Sequence, residues 1–335
     1  MIGSASAEKS ASPRVAIVGA GLAGFSLAHR LALLGVDVSL VEKSRGPGGR
    51  CSTRQTPAGA FDHGPGAVQA AGSLFTQAIA GLPDASALGL NAWARRLAAA
   101  SVPAGGEPAF KRLDLTAVAA LEPEQAGESQ VWWLRTAEGE VPGSAQRLGP
   151  FDAVVVAAPA EQARTLLQPS ARLVQVLSPV RSAPCWTVMA AWPGELPQAH
   201  RLQRAGPAGD PLAVARAMNG SPPGRWVLQA TADWSEANLD AAPAAVTARL
   251  LEALSARAGV RLAAPAWSAA HRWRYAQVTN PLQASYGWDA SAQLGSVGDA
   301  WAAGPGDQPR AGIERAWLSA QALADAWLLG ALKPT

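Results

Sequence analysis

The chain has few of the residues that hold metals or disulfides. Among its 335 residues are two cysteines and four histidines, and the cysteines, Cys51 and Cys185, form no C-x-x-C motif. This leaves no metal-ligand spacing and no disulfide framework, and it is typical of a reducing compartment. The sequence also shows no export signal and no run of about 18 apolar residues. We therefore expect a cytoplasmic protein without a membrane span.

Charge gives no sign of a nucleic-acid partner. The formal net charge is +3, but the basic residues are scattered among acids and form no basic run with interleaved aromatics. The hydrophobic content of 49% can fill the cores of two domains. Residues 1–13 are small and polar, so we expect a disordered leader there. Composition leaves the oligomeric state open.

Residues 14–50 carry the clearest pattern in the chain. The apolar run at residues 15–18 predicts a strand buried on both faces, and it leads into Gly19, Gly21 and Gly24 with the spacing G-x-G-x-x-G. The first glycine permits a tight turn, the second permits the approach of a pyrophosphate, and the third lets the helix pack on the strand. This pattern predicts a dinucleotide cradle.

A helix and a second strand complete this unit. The helix begins at Leu22, where the free N–H groups of the first turn favour an anion, and it ends at Gly35. The strand at residues 36–41 ends in Glu42, about 20 residues after the glycines, where a carboxylate binds ribose hydroxyls and disfavours a 2′-phosphate. FAD or NAD therefore fits this unit better than NADP.

A second loop, rich in glycine and arginine, favours FAD over NAD. Residues 44–50 read Ser-Arg-Gly-Pro-Gly-Gly-Arg, so the backbone can close on a phosphate chain or a flavin ring, and Arg50 adds a bidentate donor. An NAD domain has no need of such a loop. A D-x-G turn, Asp62-His63-Gly64, follows it.

The later chain alternates between helical and strand patterns. We expect helices up to about Leu97, a loop at 101–108, strands at 111–119 and 131–137 with a turn at 138–140, and a buried strand at 151–160. Alternation at residues 185–192 and 226–231 predicts antiparallel strands, and a helix is expected at 243–258. A short strand ends in Gly298-Asp299, and the last helix begins at Gly312 and Ile313. A carboxylate and a helix N-terminus at this place suit a ribityl hydroxyl and the electron-rich edge of a flavin.

These segments together resemble bacterial renalase-type flavoproteins, a branch of the FAD-dependent amine-oxidase superfamily. The resemblance rests on residues 14–66, 151–163, 230–240, 270–276 and 298–321. It implies non-covalent FAD in a fold like that of p-hydroxybenzoate hydroxylase, with the G-G-R loop over the cofactor and the D-x-G turn beneath the flavin. It also implies hydride transfer from a dihydronicotinamide, a misreduced isomer of NAD(P)H, to flavin N5, with oxygen as acceptor. The predicted cofactor contacts are Gly19, Gly21, Leu22, Ala23, Gly24, Glu42, Lys43, Gly49, Arg50, Asp62, Gly64, Asp299, Gly312 and Ile313.

The substrate half departs from that family in two places. Residues 66–69 lack the tyrosine-phenylalanine pair that walls the family's active site, and the segment 69–109 is shorter than in the family. Three functions therefore stay open: a renalase-type oxidase, an oxidase or dehydrogenase for an amine or another small substrate, and a flavin-binding protein without turnover. The candidates for facing a substrate are His63, Arg216, His271 and Trp288. Core packing is the alternative for the histidines and for the tryptophan.

The domain organisation follows from the order of these elements. We predict an α/β fold, with a Rossmann-like FAD-binding domain built from residues 14–70, 101–165 and 291–335. An inserted substrate domain, an antiparallel sheet flanked by helices, takes residues 71–100 and 166–290.

Overall fold

The structure is a computed structural model that describes residues 12–66, 68–100, 110–127, 129–138, 145–204, 206–220, 222–305, 309–330 and 332. Three expected segments lie wholly or partly outside these ranges: the loop at 101–108, the leader at 1–13 except residues 12 and 13, and the turn at 138–140 except residue 138.

Fifteen strands and ten helices are formed by the described residues. The strands are β1 (Arg14–Val18), β2 (Asp37–Val41), β3 (Thr53–Thr56), β4 (Gly59–Asp62), β5 (Lys111–Leu113), β6 (Val118–Ala126), β7 (Ser129–Thr136), β8 (Arg147–Phe151), β9 (Ala153–Val156), β10 (Ser182–Ala191), β11 (Leu212–Ala217), β12 (Arg225–Ala230), β13 (Trp267–Val278), β14 (Gly287–Asp289) and β15 (Leu294–Ser296). The helices are α1 (Leu22–Leu33), α2 (Ser73–Ile79), α3 (Ala85–Leu88), α4 (Leu90–Ala99), α5 (Ala160–Leu166), α6 (Ala171–Leu177), α7 (Ala199–Leu202), α8 (Ala232–Ala237), α9 (Pro243–Ala258) and α10 (Gly312–Leu328).

The central sheet has the order β14-β15-β9-β1-β2-β5. All neighbours run parallel except β14, which is antiparallel to β15. From β1 the chain continues to β2 on one side, and it returns later to β9 on the other side. The carboxyl end of β1 is therefore a point where the strand order reverses, and open α/β sheets bind ligands at such a point.

Both faces of the central sheet are covered. On one face, helices α1, α4 and α10 bury apolar side chains such as Leu27, Trp93 and Trp327 against β1 and β2. On the other face, the antiparallel meander β6-β7-β8 and helices α5 and α6 bury Trp132, Phe151 and Leu173. Burial on both faces explains why β1 and β9 read as unbroken apolar runs.

A second sheet, β11-β12-β10-β13, is antiparallel throughout. Side chains alternate between the two faces of this sheet. One face carries Trp186 and Leu228 and packs against α9. The opposite face carries Met189 and Val227, which pack against Phe61 of the separate β3–β4 hairpin. The predicted α/β architecture with an inserted antiparallel sheet and helices is confirmed.

Several boundaries differ from the expectation. The strand predicted at 111–119 is divided, because the chain bends after β5, where Leu115 has a φ of 54°. β5 joins the central sheet beside β2, whereas β6 begins the meander. The strand predicted at 151–160 also covers parts of two elements, since Phe151 ends β8 and β9 takes only residues 153–156.

Two segments assigned to the substrate domain pack with the nucleotide-binding layer instead. Phe75 of α2 and Trp93 of α4 are buried in the same core as α1 and α10, although 71–100 had been predicted to belong to the second domain. Strand β14 is the edge strand of the central sheet, so the second domain ends before Gly287. None of the described helices is long and apolar enough to cross a membrane.

Candidate functional site

The turn between β1 and α1 has the backbone geometry that the glycine pattern predicts. Gly19 has a φ of 104°, and a Cβ there would lie 2.7 Å from the carbonyl oxygen of Ala157. A Cβ on Gly24 would overlap the carbonyl oxygen of Gly19. Gly21 differs, because the position of its Cβ has no atom within 4 Å. Two glycines thus permit close packing within the protein, and the third leaves open space above the turn.

The N-terminus of α1 is suited to an anion. Within the described residues, no side chain caps this end, and the first turn carries no acidic residue. The N–H groups of the first turn, which includes Leu22 and Ala23, have no intrahelical partner and carry the positive end of the helix dipole. Open space beside Gly21 and an uncapped helix end together fit a pyrophosphate.

Glu42 lies next to this turn at the end of β2. Its carboxylate is only 6% exposed, and it accepts hydrogen bonds from the backbone N–H of Ala20 at 2.7 Å and of Ser44 at 2.8 Å. The Ser44 hydroxyl donates a third hydrogen bond at 2.7 Å. Glu42 therefore ties the glycine turn to the second loop, while the neighbouring Lys43 is exposed.

The loop of residues 44–50 lies against the glycine turn. The N–H of Gly48 donates to the carbonyl oxygen of Ala20 at 2.8 Å, and a Cβ on Gly49 would come within 3.1 Å of the Gly21 Cα. Asn91 of α4 supports the loop from behind, because its side-chain amide donates to the carbonyl oxygen of Pro47 at 2.7 Å. The two glycine-rich segments thus form one surface.

Arg50 and Asp299 meet in a two-bonded ion pair. The guanidinium donates to the two carboxylate oxygens at 2.8 and 2.6 Å, and Asp299 is 5% exposed. Burial by itself lowers the pKa of Arg50, but the carboxylate of Asp299 outweighs it and the pKa is raised. A Cβ on Gly312 would lie 3.5 Å from the carboxylate, so Asp299 also adjoins the start of α10, where Ile313 is buried.

Arg315 holds the main chain around Asp299. Its Nε donates to the carbonyl oxygen of Asp299 at 2.7 Å, and its other nitrogens donate to those of Arg310 and Val278. Burial lowers the pKa of this arginine, and the nearby Asp299 opposes the shift. Arg315 therefore joins the end of β13, the segment after β15 and the loop before α10.

The D-x-G turn lies between the two sheets. The Asp62 carboxylate accepts from the N–H of Leu90 at 3.0 Å and from the Thr53 hydroxyl, so it stabilises the first turn of α4. A Cβ on Gly64 would overlap the carbonyl oxygen of Arg50. Because the two backbones touch, the position of Gly64 and the position of Arg50 depend on each other.

Two of the substrate-facing candidates, His63 and His271, are neighbours. Their ring centroids are 5.0 Å apart, and Trp273 lies 5.0 Å from His63 and 4.3 Å from His271. Burial, and to a smaller extent the nearby His271, lower the pKa of His63 to about 4. Burial also lowers the pKa of His271. Both imidazoles are therefore uncharged at neutral pH.

A cavity of about 330 Å³ opens beside Asp62 and Arg216. The Arg216 guanidinium donates to the backbone carbonyl oxygens of Asp62, at 2.6 Å, and of Gly66, and burial lowers its pKa. Leu82 and Trp93 are among its apolar lining residues, and Asp84 and Ser86 are among its polar ones. The volume is that of a site for a small molecule.

Trp288, the fourth candidate, lies elsewhere. It belongs to β14 and packs edge-on against Trp327 of α10, with 6.3 Å between the ring centroids. The structure thus brings together His63, His271 and Arg216 around the D-x-G turn and places Trp288 in the core of the nucleotide-binding layer. Among the residues that the structure describes, no group of three or more His, Cys, Asp or Glu side chains could hold a metal ion.

Several residues of this site have no signal in their local sequence. Asn91 and Arg315 stand in helices, and nothing in their spacing points to a loop or to a carboxylate. Alternation along the strand places Trp273 on the same face as His271, whereas Gln229 is assigned to that face only through the pairing of β10 with β12 and β13. That argument requires the strand pairing, which the sequence does not provide.

Comparison with known proteins identifies the first part of the chain. Residues 17–77 match the family model of the NAD(P)-binding Rossmann-like domain. Over 52 residues the chain is 48% identical to a zeta-carotene-forming phytoene desaturase of Myxococcus xanthus, and over 55 residues it is 56% identical to a phytoene desaturase of Neurospora crassa. Each match covers 16% of this chain and only 10% and 9% of those proteins. The likeness in sequence is therefore confined to one segment.

Solved structures extend the likeness to nearly the whole chain. A cyclohexylamine oxidase from Brevibacterium oxydans has a TM-score of 0.59 at 12% identity, and the alignment covers 95% of this chain and 100% of that one. A variant of putrescine oxidase has a TM-score of 0.64 at 12% identity with the same coverage. An oxidoreductase from Methanosarcina mazei has a TM-score of 0.59 at 11% identity over 93% of this chain and 100% of that one. At such identities the likeness shows the fold alone, which this chain shares with oxidases of cyclohexylamine and putrescine.

Proposed function

We propose that this chain binds FAD non-covalently and acts as an FAD-dependent oxidoreductase. The observation that carries the proposal is the convergence of four separate segments at the carboxyl end of β1: the glycine turn, Glu42, the loop ending in Arg50, and Asp299 with the start of α10. NAD requires only the first two segments, the glycine turn and Glu42. The other two fit the flavin half of a larger cofactor.

Each of these segments binds a different part of FAD. The first turn of α1 binds the pyrophosphate through its backbone N–H groups, and Gly21 leaves room for it. Glu42 accepts hydrogen bonds from ribose hydroxyls, and Asp299 accepts one from the ribityl chain. The N-terminus of α10 stabilises negative charge on the flavin ring. FAD, when bound, supplies the acceptor for two electrons, and the protein's own part is to orient the substrate and to exclude water.

The cavity beside Asp62 and Arg216 is the proposed substrate site. Its size suits a small flat ring, and the apolar side chains of Leu82 and Trp93 are among its lining residues. These features support a renalase-type reaction, the oxidation of a dihydronicotinamide with oxygen as the final acceptor. A cytoplasmic location remains part of the proposal, since both cysteines are free.

An amine oxidase or dehydrogenase is the second candidate. Asp62 and Asp84 are both among the residues that line the cavity, and acidic residues attract the ammonium group of an amine. Two of the similar folds belong to oxidases of cyclohexylamine and putrescine. A flavin-binding protein without turnover is the remaining alternative.

Anaerobic rapid mixing distinguishes these functions. FAD-loaded protein is mixed with the isomers formed by borohydride reduction of NAD⁺, with pure β-NADH, and with cyclohexylamine, and the visible absorbance of the flavin is followed. Fast bleaching by the isomer mixture alone is the expected result. Bleaching by the amine alone would favour the second candidate. No bleaching by any of the three would remove the dihydronicotinamide from the proposal.

A further inference from the structure

The backbone carbonyl groups of residues 60–66 are held by side chains of the second sheet. Trp273 donates from Nε1 to the carbonyl oxygen of His63 at 3.0 Å, and Gln229 donates from Nε2 to that of Gly64 at 2.7 Å. Arg216 donates to the carbonyl oxygens of Asp62 and Gly66, and Arg225 donates to that of Ala60. We call the set Arg216, Gln229 and Trp273 the carbonyl clamp.

The clamp residues come from three different strands of one sheet face. Arg216 belongs to β11, Gln229 to β12 and Trp273 to β13. The β3–β4 hairpin is a sheet of its own, so it reaches the second sheet through side chains. The apolar contacts of Phe61 with Met189 and Val227 are not directional. Hydrogen bonds have a preferred geometry, so the clamp fixes where the turn lies.

The other side of the same turn contacts the proposed cofactor residues. Gly64 touches the backbone of Arg50, where any Cβ on Gly64 would overlap the carbonyl oxygen. Arg50 in turn holds Asp299 with two hydrogen bonds. Asp62 stabilises the first turn of α4, and Asn91 of that turn holds the carbonyl oxygen of Pro47. A shift of the turn is therefore passed on to the loop of residues 44–50, at Pro47 and at Arg50.

We propose that Arg216, Gln229 and Trp273 are positioning residues for the FAD site, acting through the carbonyl groups of the D-x-G turn. This inference rests on the proposed function. It gives Arg216 a role that differs from substrate contact, because its guanidinium donates to the backbone carbonyl oxygens of Asp62, Pro65 and Gly66. The second sheet thereby sets the floor of the cofactor site as well as one wall of the cavity.

The test uses Trp273→Phe, which removes one N–H donor and keeps an aromatic ring. The matched control is Trp192→Phe, since Trp192 also donates from Nε1 to a backbone carbonyl, that of Ala263 at 2.7 Å, away from the turn. Gln229→Met is a second variant, of similar length and without donors. For each protein, the FAD dissociation constant, the visible spectrum of the bound flavin and the melting temperature of the apoprotein are measured.

We expect Trp273→Phe and Gln229→Met each to weaken FAD binding by about three- to tenfold, as the loss of one hydrogen bond predicts, and to shift the visible band of the bound flavin. Trp192→Phe lowers the melting temperature but leaves the dissociation constant and the spectrum unchanged. Unchanged FAD binding and spectrum in both clamp variants would overturn the inference, and so would equal effects in the control. If the unaltered protein binds no FAD, the proposed function itself fails and the inference fails with it.

Discussion

At the scale of single residues, the three glycines of the first turn have different roles. A substitution at Gly21 should affect ligand binding without affecting folding. Gly21 has a φ of −64°, and a Cβ added there has no protein atom within 4 Å. Gly21→Val should therefore leave the melting temperature of the apoprotein within about 2 °C and abolish FAD binding, because the valine occupies the space of the pyrophosphate. Calorimetry and FAD titration measure the two effects.

Gly194→Val is the matched control for this substitution. Gly194 also has open space at its Cβ position but lies in the second domain, after β10. The variant Gly194→Val should have the same melting temperature and the same affinity for FAD as the unaltered protein. Full FAD content in Gly21→Val would contradict the assignment of the cradle.

His63 makes the stability depend on pH. Its pKa is lowered from 6.5 to about 4, mainly by burial and also by His271 and Arg54. Between about pH 6.5 and pH 4 the unfolded chain takes up a proton at this histidine whereas the folded chain does not. The free energy of unfolding should therefore fall as the pH drops through this window, by about 3 kcal/mol for this group.

Urea unfolding at pH 7, 6, 5 and 4 tests this dependence. His63→Gln should show a shallower loss of stability across the window than the unaltered protein, whereas substitution of the exposed His200 should leave the slope unchanged. An equal slope in His63→Gln and in the unaltered protein would show that His63 does not carry the effect.

At the scale of secondary-structure elements, the Arg50–Asp299 pair joins the loop after β2 to the segment between β15 and α10. Asp299→Asn removes the charge and leaves the partly buried Arg50 without its counter-ion. We expect a loss of about 2 kcal/mol in the free energy of unfolding and weaker FAD binding. Chemical denaturation and FAD titration measure the two losses.

Asp240→Asn is the control for the ion pair. Asp240 pairs with Arg272 on the surface, where its side chain is 83% exposed, and such pairs contribute little. Equal stability of the two variants would show that the buried pair does not join these elements energetically.

The elements that could be predicted are those with a strong local pattern. Glycine spacing predicted the β1–α1 turn, and helical periodicity predicted α9 with its observed bounds, Pro243–Ala258. The helices at residues 73–99 were recognised, but their packing partner was not. An amphipathic helix has one apolar face whether it packs on α1 or on another sheet, so periodicity alone does not decide the domain to which it belongs.

At the scale of the whole molecule, the cofactor half could be predicted more fully than the substrate half. The proposed cofactor residues Gly21, Glu42 and Asp299 stand in short motifs, so the sequence alone indicates them as candidates. The cavity and the carbonyl clamp are formed by residues far apart in the chain, such as His63 and Trp273, or Asp62 and Arg216. The packing of the β3–β4 hairpin against the second sheet brings them together.

Titration of the purified apoprotein with FAD, followed by visible absorbance and calorimetry, tests the central claim most directly. The account predicts one FAD per chain, with a spectrum shifted from that of free FAD and with loss of this binding in Gly21→Val but not in Gly194→Val. Absence of binding by the folded, unaltered protein, or equal binding by Gly21→Val, would contradict it.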